Sequence, residues 1–211
     1  MIRSYGELDD RHIDVLCELG NIGTGNAATS LSEMIDDTVR ISVPRVMLLG
    51  CDDVVGMAGG AETPGVAVMI RFEGDVRGIV LFVISYDDAK IVAEMLIDDV
   101  PGSGRNGDPG MISDMNLSAI MEIGNILGAS YLSSVAALTG LRIEATAPYV
   151  SVDMIGAAMS APIAEFSVGN SRILLIEGGF STETRKLKSH VILFADIPSL
   201  NTIMMKLGIE A

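Results

Sequence analysis

Apolar residues recur at helical spacing through the first part of the chain. Ile13, Leu16, Cys17, Gly20, Ala27, Ala28 and Leu31 fall on one side of a helix spanning roughly residues 10–35. The pattern then shortens. A strand around 38–43 ends near Pro44, a second apolar run covers 46–50, and Gly56-Met-Ala-Gly-Gly-Ala-Glu-Thr-Pro-Gly65 reads as a turn-rich loop. Residues 66–72 and 78–85 are two strands joined through Glu73-Gly74-Asp75, a hairpin signal. Asp87 to Ile97 is helical again, with Ala89, Ile91 and Met95 facing inward.

Pro101-Gly-Ser-Gly-Arg-Asn-Gly-Asp-Pro-Gly110 is the clearest linker in the chain, and after it the order repeats. A helix near 113–139 is followed by a strand before Pro148, then by strands around 149–154, 162–168, 171–180 and 189–196. A helix from Pro198 to Leu207 closes the second half. The chain therefore divides into two repeats, about 10–100 and 111–211, joined by linker 101–110. With about 100 residues each, the halves are too small for ample separate cores. The expectation is one α+β domain: a pseudo-twofold, duplicated α/β repeat sharing one β-sheet, with two exposed motif helices.

The duplication is visible residue by residue. Glu18-Leu-Gly-Asn21-Ile returns 104 residues later as Glu122-Ile-Gly-Asn125-Ile. The wider frame Asp14-x3-Glu18-x2-Asn21-x22-Pro44 matches Ser118-x3-Glu122-x2-Asn125-x22-Pro148 without a gap. On a helix, Asp14, Glu18, Asn21 and Gly25 form one stripe beside the apolar face, and Ser118, Glu122, Asn125 and Ala129 form its counterpart. A carboxylate and a carboxamide one turn apart, followed by a residue with almost no side chain, thus occur twice. A merely solvated face does not specify Glu-x-x-Asn two times in register. Gly20 and Gly124 fall on the apolar side, where they let the helix sit close to the sheet. Positions expected to be polar and exposed, Ser30 and Ser134 among them, are over-represented among the identities between the two helices.

Composition narrows the chemistry. Hydrophobic residues make up 49%, and charged residues, Gly or Pro interrupt every apolar run before it approaches a spanning length. The first residues lack the apolar stretch of a signal peptide, so a cytoplasmic protein is expected. A net charge of −14 argues against binding nucleic acid or anionic lipid and favours partners with a basic patch. Only four of the fourteen basic residues are Lys, a balance that also suits a high-salt cytoplasm. Cys17 and Cys51 make no disulfide framework, and Cys17, aligned with Met121, reads as a buried apolar position. His12 and His190 are too few and too isolated for a metal site, and neither a phosphate-binding Walker motif nor a G-x-S-x-G elbow is present.

The pattern [Asp/Ser]-x3-Glu-x2-Asn-x22-Pro resembles the signature of the CheC, CheX and FliY phosphatases of chemotaxis, and both copies here match every defined position. Two copies in about 200 residues, with no further flagellar-switch domain, resemble the CheC branch. The resemblance implies hydrolysis of the aspartyl phosphate on a CheY-type response regulator. Asn21 and Asn125 would orient the attacking water, and Glu18 and Glu122 would engage a basic residue of the regulator. Asp14 and Ser118 would be supporting residues. The regulator would supply the phosphorylated Asp, a Lys and the Mg²⁺, so no cofactor is expected on this chain. The receptor deamidase CheD is implied as a second partner. Two other readings stand beside this one: a scaffold that holds CheD with weak catalysis, or an adaptor near the motor.

Overall fold

The computed structural model describes residues 2–35, 38–42, 45–97, 112–167, 173–182, 187 and 189–209. Linker 101–110 and Pro44 lie outside them. Helix α1 (Asp10–Ile35) opens where the Asp9 carboxylate accepts from the backbone N–H groups of Arg11 and His12, an N-cap arrangement. Strands β1 (Val39–Ile41) and β2 (Arg45–Leu49) follow, then the short helix α2 (Cys51–Met57). The hairpin β3 (Pro64–Gly74) and β4 (Gly78–Ser85) leads into helix α3 (Tyr86–Ile97). Helix α4 (Asp114–Thr139) is capped at both ends. The Ser113 hydroxyl accepts from the Asn116 N–H, and Gly140, at φ 69°, donates its N–H to the Ala136 carbonyl. Strands β5 (Ile143–Ala145) and β6 (Tyr149–Met154), helix α5 (Ile155–Phe166), strands β7 (Ile173–Gly178), β8 (Phe180–Thr182) and β9 (Ser189–Ala195), and helix α6 (Ile197–Lys206) complete the order.

The main sheet runs β2-β7-β9-β4-β3, with β6 and β5 both pairing along β3, and its pairings are antiparallel. Its two halves mirror each other about the β4–β9 pair, which joins Gly78–Ile84 to Ser189–Ala195. β3–β4–α3 on one side answers β7–β9–α6 on the other. The strands that follow the motif helices cross over: β2 pairs with β7 of the second half, and β6 pairs with β3 of the first. Each repeat completes the other's sheet, as a pseudo-twofold duplication sharing one sheet requires.

Alternation along the central strands sends side chains to two cores. Val66, Val68, Phe72, Val80, Phe82 and Ile84 join the core that also holds Leu16, Leu31, Ile120, Ile123 and Leu127 of the motif helices. Ala67, Ile79, Leu81 and Val83 face the other way, onto Val54 of α2 and Ile155, Met159 and Phe166 of α5. The result is three layers, with the motif helices on one face of the sheet and α2 and α5 on the other.

Several expectations are corrected. Of the strand expected at 162–168, the described residues 162–167 form no strand, and residue 168 lies outside the described residues. Up to Phe166 they belong to α5, whose buried residues Ile155, Met159, Pro162 and Phe166 follow a helical period despite the internal proline. Helix α2 precedes the loop predicted at 56–65, and the turn itself is narrower, with Gly59 and Gly60 at φ 117° and 102°. Of the run 171–180, the described part is split: Gly179 separates β7 from β8, at a point where a Cβ would meet the Ser189 carbonyl at 2.2 Å. In α3 the fully buried positions are Ala89, Val92 and Ala93, while Ile91 and Met95 are half-buried against the same core.

Candidate functional site

The buried side of α1 consists of His12, Leu16, Leu19, Gly20, Gly23, Thr24, Ala27, Leu31 and Ile35. Ile13 and Cys17, expected inside, are only half-buried, since the helix is rotated toward Leu19 and Gly23. This rotation leaves Asp14, Glu18, Asn21 and Gly25 exposed. On α4 the buried set includes Ile120, Ile123, Gly124, Leu127 and Gly128, so that Ser118, Glu122 and Ala129 are exposed and Asn125 is half-buried.

Glycines set how closely these helices approach their supports. A Cβ on Gly124 would come within 2.7 Å of Val68 on β3, and one on Gly128 within 2.7 Å of Ile70 Cδ1. A Cβ on Gly23 would stand 3.1 Å from the Tyr131 Cα, so α1 lies tight against α4 there. The Tyr131 hydroxyl is buried without a hydrogen-bond partner among the described residues, and burial, then the Glu177 charge, pushes its phenol above the usual range. The two stripes are therefore carried on packed scaffolds rather than on loops.

Within each stripe the carboxylate and carboxamide stand about 4.5 Å apart along the axis and about 60° apart around it. Among the described residues, the side chains of Glu18, Asn21, Glu122 and Asn125 make no hydrogen bond or ion pair. Asp14 is likewise without a partner, whereas the Ser118 hydroxyl turns back to donate to the Asp114 carbonyl at 2.9 Å. Ser134, grouped with the exposed polar identities, is in fact buried and donates to the Ser130 carbonyl at 2.8 Å. The residue pattern alone did not distinguish such a helix-satisfied hydroxyl from one facing a partner. Pro148 is half-buried in the turn before β6 and carries no polar atom toward the stripe.

The stripes are convex surfaces. A cleft of about 630 Å³, lined by Arg40, Glu177, Ser181 and His190 among others, contains none of the motif side chains. The two histidines, given no role by the sequence, are structural partners. His12 Nδ1 lies 2.5 Å from Asp9 Oδ1, and His190 Nδ1 lies 3.0 Å from the buried Glu177. Among the described residues there is no group of three His, Cys, Asp or Glu able to hold a metal, and no helix is long and apolar enough to cross a membrane. The sequence reading also passed over Ile22, a large apolar residue 36% exposed beside Glu18. An isolated Ile in a helical pattern gives no signal of exposure.

Comparison with known proteins places these features in context. The family model described as CheC-like matches residues 12–48 and 115–152, the two motif segments with the strands that follow them. The chain is 32% identical to the CheY-P phosphatase CheC of Bacillus subtilis over 97% of both chains. Its fold is similar to that of FliY from Thermotoga maritima, with a TM-score of 0.74 at 20% identity, covering 96% of this chain and 98% of that one. It is also similar to a chain in the crystal structure of the CheX–CheY complex with beryllofluoride and Mg²⁺ from Borrelia burgdorferi, with a TM-score of 0.53 at 17% identity, covering 83% of this chain and 96% of that one. With one copy of the motif on each repeat and near-complete alignment to the CheC of Bacillus subtilis, the chain belongs to the CheC-like family.

Proposed function

We propose that this protein is a cytoplasmic phosphatase that hydrolyses the aspartyl phosphate of a CheY-type response regulator, with one site on α1 and one on α4. The observation that carries the reading is the Glu-x-x-Asn pair on both motif helices, unpartnered among the described residues, exposed on α1 and with Asn125 half-buried on α4. The curated relative of near-identical length bears the name CheY-P phosphatase, which supports the same substrate.

The chemistry follows from the side chains. An acyl phosphate is already activated, so the catalyst chiefly has to hold a water in line with phosphorus. The carboxamides of Asn21 and Asn125 are suited to this, offering a donor and an acceptor without titrating. As the water oxygen bonds to phosphorus, the bond from phosphorus to the regulator's carboxyl oxygen breaks, releasing inorganic phosphate and a free carboxylate. Glu18 and Glu122 stand one turn before the carboxamides and anchor the helix through a basic residue of the regulator. Asp14 and Ser118 support docking one turn earlier. The regulator's phosphorylation site would hold the Mg²⁺, which would offset charge on the phosphoryl group. A convex helix face, rather than a pocket, suits a substrate whose phosphate is presented by a protein.

CheD is a second, separable partner in this reading. The test is the decay of phosphorylated regulator with Mg²⁺ present, comparing the native chain with Asn21→Ala, Asn125→Ala and the double variant. Acceleration by the native chain that is lost in the double variant, with CheD binding retained, is expected. Full activity in the double variant would remove the carboxamides from the mechanism.

A further inference from the structure

The glycines of the motif helices are not equivalent. Gly23, Gly124 and Gly128 each lie against a neighbouring atom that leaves little or no room for a Cβ. Gly25 is open: beyond its own helical turn, a Cβ there would have no heavy atom of the described residues within 4 Å, and its φ is not positive. Glycine weakens a helix interior relative to alanine, and at Gly25 no contact among the described residues accounts for that weakening.

A second observation falls on the same stripe. Ile22 is 36% exposed, whereas its counterpart Ile126 is half-buried and packed on the core. Around the helix axis, with about 100° per residue, Asn21 lies about 60° to one side of Glu18 and Ile22 about 40° to the other. Gly25 lies between those two, one turn further on. A bare Cα is thus flanked by the carboxamide and by an exposed apolar side chain, continuous with the carboxylate that the phosphatase reading assigns to docking.

We propose that Ile22 and Gly25 form an apolar seat on α1 against which the phosphorylated response regulator closes. Ile22 packs on an apolar patch of the regulator, and Gly25 admits the regulator's main chain between Asn21 and Ile22. On α4 the seat is reduced, because Ala129 places a methyl group where Gly25 has none and Ile126 is partly withdrawn. The inference rests on the phosphatase reading and adds to it the residues that set docking affinity at one site.

The test uses the full chain carrying Glu122→Ala and Asn125→Ala, which disables α4, titrated with a CheY-type regulator activated by beryllofluoride and Mg²⁺. Ile22→Ala and Gly25→Ala in that background should each weaken binding by about fivefold to tenfold. Gly25→Ala should simultaneously raise the melting temperature, which separates lost docking from lost folding. Affinities within about twofold of the parent in both variants would overturn the proposal. So would a parent that fails to bind although the unmodified chain binds. An unmodified chain that neither binds the regulator nor hastens its dephosphorylation would instead bring down the phosphatase reading.

Discussion

Gly124 of α4 rests on Val68 of β3 so closely that a Cβ at Gly124 would come within 2.7 Å of both the Cβ and a γ-methyl of Val68. The obstacle is the branched base of a side chain in a central strand, which cannot swing aside. Gly124→Ala should therefore destabilise the protein by about 1–2 kcal/mol, the cost of overpacking less the gain in helix propensity. Gly128→Ala should cost less, because the atom it meets is Ile70 Cδ1, the free end of a flexible side chain. Urea unfolding of both variants checks the order, and adding Val68→Ala to Gly124→Ala should recover part of the loss through direct coupling.

The amino-terminal segment is tied to the far end of the chain by three hydrogen bonds. Ile2 donates its N–H to Asn201 Oδ1 at 2.9 Å and accepts from Asn201 Nδ2 at 2.8 Å, and the Tyr5 hydroxyl donates to the Ala195 carbonyl at 2.6 Å. Ile2 and Tyr5 are 5% and 2% exposed, so these groups have no easy recourse to water. Asn201→Ala strands two buried backbone groups and should cost about 2–3 kcal/mol, whereas Tyr5→Phe should cost about 1 kcal/mol. Thermal unfolding measures both. Faster hydrogen exchange at the Ile2 amide in Asn201→Ala would show that the strap had opened locally.

Legibility in the sequence followed the strength of the local pattern. Both motif helices could be placed because their apolar spacing extends over 26 residues in each, and because the second repeats the first. The central strands were visible as apolar runs, since Ile79–Ile84 is buried on both faces of the sheet. Helix α5 was missed because the apolar run from Pro162 reads as a strand, although Met159, Pro162 and Phe166 are buried along one side of a helix. Helix α2 has a single fully buried residue, Val54, and so almost no amphipathic signal. The polar stripe was legible through its duplication. The exposure of Ile22 was not, because it depends on how far α1 rotates toward Tyr131, a tertiary fact with no local sequence signature.

Glu177 links stability to pH. It is 6% exposed, 3.0 Å from His190 Nδ1 and 3.4 Å from Arg45 Nη2. The His190 hydrogen bond and, more weakly, the charges of His190 and Arg45 hold its carboxyl below the usual range against the opposing effect of burial. A carboxylate whose folded pKa is depressed contributes stability above its unfolded pKa, about 4.3, and loses it as pH falls through the folded value. The native chain should lose stability below about pH 4 more steeply than Glu177→Gln. Chemical denaturation midpoints from about pH 7 down to about pH 3 test this. Parallel curves for the two proteins would show that the pair contributes nothing to acid sensitivity.

Because Glu18 and Glu122 are exposed and form no bond within the described chain, their removal should isolate their effect on the partner. Glu18→Ala and Glu122→Ala should leave stability within about 0.5 kcal/mol of the native value, as expected for surface positions without structural ties. Their effect should fall on docking. With Asn125→Ala silencing the α4 site, Glu18→Ala should raise KM for the phosphorylated regulator by about tenfold while changing kcat little, since an anchoring ion pair acts before and during the chemical step alike. Asn21→Ala in the chain with an intact Glu18 should do the reverse, lowering kcat with little change in KM, because a positioned water matters only as phosphorus is attacked. The two patterns also diverge with salt. Screening should weaken docking of the native pair as ionic strength rises, and Glu18→Ala should flatten that dependence. Equal losses of kcat and KM effects across both substitutions would mean that carboxylate and carboxamide act as one unit, and that the division of labour between them is wrong.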